Sequence, residues 1–316
     1  MSFAVSSVAP HDRLRAAACV LHSNGGAQTV SVAARFQGIA FMLLCQITDL
    51  HITRPGVLAC GRVDTAQALR RAIATINRWT PRPDAVIATG DLIDTPHLSE
   101  YEVLRECLAE LEIPLYLVVG NHDHREGLRA AFPEHTYLLA GGEFVQYRVD
   151  FGPLTVLALD TQDPPNAGGH LCEARLAWLD EQLHACEGRP TIIAMHHPPF
   201  DTGIEFMDGY GLTAQGRAGF ASVTSRHRHI ERVICGHLHR SIQASVAGAP
   251  GVMASTCVST AHQITLGLAA GAPGSITLEP PGFALHLWQP GAGVRTHLAY
   301  VGAHDGPYSF DGESVS

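Results

Sequence analysis

No C-x-x-C pair occurs among the eight cysteines, no block of Lys and Arg appears, and no apolar run approaches the about 20 residues that a membrane span needs. Each absence removes a class of function. The scattered cysteines (Cys19, Cys45, Cys60, Cys107, Cys172, Cys186, Cys235, Cys257), several inside apolar runs, read as free thiols of a reducing compartment and not as a disulfide framework. With 21 Lys plus Arg against 30 Asp plus Glu, a formal net charge of −9 and no basic stripe, the chain speaks against nucleic acid as its main partner. The start is a poor signal peptide. Arg13 and Arg15 precede only "AAACVL" before His22 and Ser23, so no membrane is expected and the cytoplasm is the expected location. No internal repeat is visible.

What is present is enough for a well-filled core. Hydrophobic residues make up 46% of 316 residues and charged residues 16%, as in one large domain with or without a small accessory piece. Residues 1–40 show neither period 2 nor period 3.6. They are expected to form an N-terminal extension, poorly ordered or a non-native start, with Met42 as a candidate natural start. From Phe41 onward, continuous apolar runs (41–47, 85–88, 115–119, 154–159, 191–195, 232–235) alternate with amphipathic stretches. Asp64–Trp79 puts Leu69, Ile73, Ile76 and Trp79 on one stripe, and Glu173–Cys186 does the same with Leu176, Leu179 and Leu183. Ser99 and Glu102 have capping-box spacing. The alternation predicts an α/β fold. Residues 200–220 read as a loop forming part of a pocket wall. Residues 41–260 are expected to carry the chemistry. Residues 261–316 are expected to be a strand-rich C-terminal region that completes the fold or forms a cap or oligomer surface.

Polar residues collect where the apolar runs end. "QITDLH" gives Asp49 and His51, "IATGDLID" gives Asp91, "LVVGNHDH" gives Asn121 and His122, "IAMHHPPF" gives His196 and His197, and "VICGHLHR" gives His237 and His239. Each piece alone reads as a turn or a solvated loop. Five in series, each directly after an apolar run, do not. In open α/β sheets ligands bind beyond the carboxyl ends of the strands. Imidazoles, carboxylates and one amide without thiolate suit Mn, Fe, Zn or Co. Seven of them, two Asp, one Asn and four His, already exceed one tetrahedral ion but serve two ions sharing a carboxylate, a recurring device of phosphoester chemistry.

The series D-x-H, G-D, G-N-H-D, H-H, G-H-x-H, spanning Met42 to His239, resembles the calcineurin-like metallophosphoesterase superfamily. The stretches "PLYLVVGNHD", "MHHPPFDTGIEFMD" and "STAHQI" look like its class III cyclic-nucleotide phosphodiesterases and their bacterial glycerophosphodiesterase branch. The resemblance implies a sandwich of two β-sheets flanked by helices. It implies one divalent ion on Asp49, His51 and His239, a second on Asn121, His196 and His237, and Asp91 bridging both. His122 would contact the phosphate and assist the leaving group, His262 would lie near the substrate, and His197 would orient the site from behind. The implied reaction is attack of a metal-bridging hydroxide on a small anionic phosphodiester, a 3',5'-cyclic nucleotide such as cAMP or a glycerophosphodiester. A homo-oligomer, dimer or higher, is also expected. By a rough count, two ions, two carboxylates and a hydroxide leave about one net positive charge, which matches a singly charged diester. A superfamily nuclease or broad phosphoesterase is the alternative enzyme, and a non-catalytic scaffold the alternative class. A protein phosphatase fits poorly, because Asp94 is followed by Thr95 and Pro96 and not by Arg-Gly.

Overall fold

The computed structural model describes residues 17–21, 28–32, 34–36 and 39–311, with side chains from Phe41 onward. The expectation for residues 1–40 falls largely outside the described residues. One sheet runs in the order Gly293–Tyr300, Gly282–Gln289, Ile39–Ile47, Ala85–Thr89, Leu115–Val118, with the last three strands parallel. The second runs Gln243–Ser245, Met253–Thr256, Ile230–Cys235, Thr191–Met195, Leu154–Leu159, Tyr147–Phe151, and continues through Ala17–Leu21 and Gln28–Val32. The strands from Met253 back to Leu154 in that order are parallel. Their burial on both faces explains why they read as unbroken apolar runs.

The sheets share one core. Leu44, Ile87 and Val118 of the first belong to the same cluster as Val149, Val156, Ile192 and Ile234 of the second, together with Leu69, Ile73 and Leu104 from the helices Thr65–Asn77 and Leu98–Leu108. A second cluster lies under the helices Glu173–Ala185 and Ala214–Thr224. The expected two-sheet α/β sandwich with flanking helices is therefore the observed one. The C-terminal strand Gly282–Gln289 pairs antiparallel with Ile39–Ile47, placing chain far apart in sequence side by side. Among the described residues no helix is long and apolar enough to cross a membrane.

Two local expectations need correction. The helix expected to be capped by Ser99 begins at Leu98, and His97 is the cap: its ring accepts from Ser99 N at 3.3 Å. A histidine lone pair does the work the hydroxyl was expected to do. The 200–220 stretch is not all loop. It holds the short helix Glu205–Asp208, and the helix Ala214–Thr224 starts where Thr213 Oγ1 accepts from Gly216 N at 3.1 Å. Glycines at 216 and 219 hid that helix from propensity.

Asp84 is held to the Ile39–Ile47 strand at Leu43, its Oδ2 accepting from Leu43 N at 2.8 Å and its own N–H donating to the Leu43 carbonyl at 2.8 Å. Burial pushes its carboxyl up to about 6, the Leu43 N–H only partly opposing. A raised carboxyl favours the protonated folded state, so this group costs stability as pH rises from about 4 through 6. Asp84→Asn, which keeps the acceptor, should stabilise the protein by about 1–2 kcal/mol at pH 7.5 and by at most about 0.5 kcal/mol at pH 4. Thermal unfolding at the two pH values checks this; an equal effect at both would refute the account.

Candidate active site

All five strand ends open at one edge where the sheets meet, and glycines make the meeting possible. A Cβ on Gly120 would overlap the backbone N and Oδ1 of Asp91. One on Gly236 would overlap Thr48 Oγ1 and stand 2.8 Å from Thr89 O. The residues after these turns are bent as well. Asp49, His51, Asp91, His237 and His239 all have positive φ, from 44° to 71°. Such a conformation is uncommon outside glycine, Asn, Asp and His, and a cluster of five marks a strained functional edge.

The seven side chains named above come together there. Asp91 lies in the middle, its Oδ2 3.3 Å from His196 Nε2 and 3.7 Å from His51 Nε2. On one side, His239 Nε2 is 3.1 Å from His51 Nε2 and 3.5 Å from Asp49 Oδ1. On the other, Asn121 Oδ1 is 3.1 Å from His196 Nε2 and 3.2 Å from His237 Nδ1. Backbone groups aim the far nitrogens: His196 Nδ1 donates to Thr89 O at 2.8 Å and His239 Nδ1 to His262 O at 2.8 Å. His51 Nδ1 faces Asp94 Oδ1 at 3.2 Å. In each case the nitrogen turned inward is the one free to donate a lone pair.

That arrangement demands positive charge. Lone pairs and carboxylate oxygens face one another at 3.1–3.7 Å, and only protons or cations between them relieve the repulsion. The protein's own charges show the demand. Burial alone would depress His196, but the Asp91 and Asp49 carboxylates pull it up to about 9, and His51 is raised for similar reasons by Asp94, Asp91 and Asp49. His237 and His239 go the other way. Burial, reinforced by neighbouring imidazoles, holds both well below the usual histidine range, leaving neutral nitrogens available as ligands. His237 Nε2 is buried without a hydrogen-bond partner. The donor set fits divalent ions of the Mn, Fe, Zn and Co type.

The cavity above has a volume of about 280 Å³ and is walled by Cys60, Asp94, His122, Ala167, Met207, Tyr210, His262 and Ile264, besides the clustered ligand-type residues. Met207 and Tyr210 come from the segment expected to supply a wall. His122 N donates to Asp91 Oδ1 at 2.9 Å, and its Nδ1 donates to Asp94 O at 2.6 Å, which leaves Nε2 as the exchangeable nitrogen. His262 lines the cavity with a buried Nδ1 that has no partner. His197 does not reach the cavity. It packs behind His196 and His237, with ring centroids 4.9 and 4.6 Å away, accepts from Thr161 Oγ1 at 2.8 Å and donates to Ala167 O at 3.1 Å.

Sequence reasoning missed Asp94 as a site residue, although its place three residues after Asp91 was a usable signal. The Thr89 carbonyl and the wall residue Cys60 carried no signal at all. A separate group of Asp180, His184 and His227 also brings ligand-type atoms together. There Arg226 already pairs with Asp180 Oδ1 at 2.9 Å, as does His227 Nε2 at 2.9 Å, so the carboxylate is satisfied from within the protein.

Known proteins place this architecture. Residues 42–241 match the calcineurin-like phosphoesterase family. A probable glycerophosphodiester phosphodiesterase of Arcobacter nitrofigilis is 35% identical over 272 residues, 86% of this chain and 98% of that protein. A probable cyclic nucleotide phosphodiesterase of Rhodopseudomonas palustris is 39% identical over 243 residues, covering 75% and 85%. Among solved structures, a dimetal phosphatase from Danio rerio shares the fold with a TM-score of 0.57 at 15% identity, covering 83% of this chain and 99% of that one. Fold, strand-end residues and sequence agree: the chain belongs to the calcineurin-like phosphoesterase family and is a hydrolase of phosphoesters.

Proposed function

We propose that the protein is a dinuclear-metal-dependent phosphodiesterase acting on small anionic diesters, cyclic nucleotides such as cAMP or glycerophosphodiesters, in the cytoplasm and as a homo-oligomer. The observation that carries this is the Asp91 carboxylate shared between two groups of nitrogen ligands. Asp49, His51 and His239 would hold one ion, and Asn121, His196 and His237 the other. Two divalent ions lower the pKa of water toward neutrality and offset charge on phosphoryl oxygens. The chain's own residues do the rest. His122, fixed by the Asp94 carbonyl and the Asp91 carboxylate, holds a proton at Nε2 for the departing oxygen. Among the described residues no Lys or Arg lines the cavity, so nothing there matches the second charge of a monoester. The apolar side of the wall, Met207, Tyr210 and Ile264, leaves the ester substituent to be held by packing.

The names of the relatives support both candidate substrates and do not choose between them. The test is hydrolysis by the Mn-loaded protein of cyclic AMP, a glycerophosphodiester, an aryl diester and the matching aryl monoester, with and without chelator. Chelator-sensitive turnover of diesters over the monoester is expected, and the ratio of the first two identifies the branch. Preference for the monoester would overturn the reading. In the same assay His122→Ala should lower kcat by about 10²–10⁴-fold while metal content stays at wild-type level. Loss of the ions along with activity would instead make His122 part of the metal site.

A further inference from the structure

Beneath the ligands runs a buried chain of hydrogen bonds that starts in the C-terminal strands. Gln46 lies three residues before Asp49, on the strand that pairs with Gly282–Gln289. Its Nε2 spends both protons, one on Thr89 Oγ1 at 2.8 Å and one on the Cys235 carbonyl at 2.8 Å. The carbonyl can only accept, so the amide cannot be turned the other way. Gln46 Oε1 must then face His286, and His286 must present an N–H there: Nε2 donates at 3.0 Å. Its Nδ1 is left as an acceptor and receives the Thr296 hydroxyl at 2.9 Å. Gln46 and His286 are fully enclosed. Burial pushes His286 down to about 3, so the ring stays neutral and the chain keeps one direction across the working pH range.

The acceptors at the end of this chain are not arbitrary. Thr89 precedes Gly90 and Asp91, and its carbonyl aims the His196 ring. Cys235 precedes Gly236 and His237. Gln46 therefore holds the end of the neighbouring strand Ala85–Thr89, from which Asp91 is presented, and ties it across to the second sheet at Cys235, from which His237 is presented.

We propose that His286 is a positioning residue for the metal ligands: by fixing the orientation of the Gln46 amide it sets the spacing between the Thr89 and Cys235 strand ends. The inference rests on the two-ion reading of the site. It gives the strands Gly282–Gln289 and Gly293–Tyr300 a part in the chemistry although neither lines the cavity. A buried polar chain of this kind is worth more complete than broken, because each unmade bond strands a partner.

Three variants test it, read by competition of the apoprotein with a chelator for Mn and by thermal unfolding. His286→Leu removes the donor at similar volume and should weaken metal affinity by about 10–100-fold while remaining folded at the assay temperature. His286→Gln places an amide N–H near the position of Nε2 and should recover affinity to within about threefold of wild type, a rescue that loss of packing would not show. Thr296→Val removes only the far donor, and a weakening of a few fold is expected; it decides the matter if His286→Leu fails to fold. Unchanged affinity in His286→Leu or in Thr296→Val, or equal weakening in His286→Leu and His286→Gln, overturns the proposal. A wild-type protein that binds no ions overturns this inference and the metal reading together, whereas failure of the substrate panel with two ions bound leaves it standing.

Discussion

Asp91→Asn should yield a folded protein that holds at most one ion tightly and has lost about 10³-fold or more in kcat/KM, roughly 4 kcal/mol of transition-state stabilisation. The size follows from position. Asp91 is nearly enclosed, and its Oδ2 lies within 3.7 Å of inward nitrogens on both sides. Burial alone would raise its carboxyl, but the His196 and His122 imidazoles beside it hold it well below the carboxylate range. Asparagine tolerates the φ of 49° at this position and keeps an oxygen for the His122 N–H. What it removes is charge. Metal content by elemental analysis, beside unfolding in chelator, separates the two effects. Two ions and full activity in Asp91→Asn would end the reading of Asp91 as the carboxylate shared by the two ions.

Gly120→Ala should abolish metal binding by a different route and destabilise the protein by about 3 kcal/mol. The new methyl would overlap Asp91 N and Oδ1 and lie 2.9 Å from His196 Cε1. None of these is the loose end of a flexible chain. The turn itself cannot yield, because Asp123 Oδ2 accepts from Gly120 N at 2.8 Å and Gln162 Nε2 donates to Gly120 O at 2.9 Å. Denaturant unfolding of the metal-free variant measures the packing cost, and ion content measures the rest. A variant of wild-type stability that still loads two ions would show that these strand ends stand further apart than the structure has them.

How much of this was legible in the sequence differs from element to element. The strands were legible because burial on both faces writes an unbroken apolar run, as at Thr191–Met195. The meeting of the seven ligand-type residues was legible because parallel strands deliver their C-terminal ends to one edge, whatever the packing details. The cap at His97 was not, since histidine is not a usual capping residue and only the turn through Pro96 and His97 brings its nitrogen to Ser99 N. The helix Ala214–Thr224 was hidden by its glycines, one of which lets Leu176 Cδ1 approach closely. The chain from Thr296 to Cys235 was beyond reach, because it depends on the register that sets His286 against Leu44, diagonal to Gln46. Register over 240 residues of sequence separation is a tertiary fact, and no local pattern encodes it.

The left-handed backbone at Asp49, His51, Asp91, His237 and His239 bears on how such a chain drifts over generations. On the two-ion reading proposed above, the bound ions would hold five unfavourable conformations in place. In a lineage released from metal binding that support disappears while the strain remains. Replacement by glycine or asparagine then relieves about a kilocalorie per mole at each position, and selection for stability alone would favour it. Every such step makes the next ligand less useful. On the two-ion reading, loss of the ions would thus act as a ratchet, each relieved position lowering the cost of giving up the next.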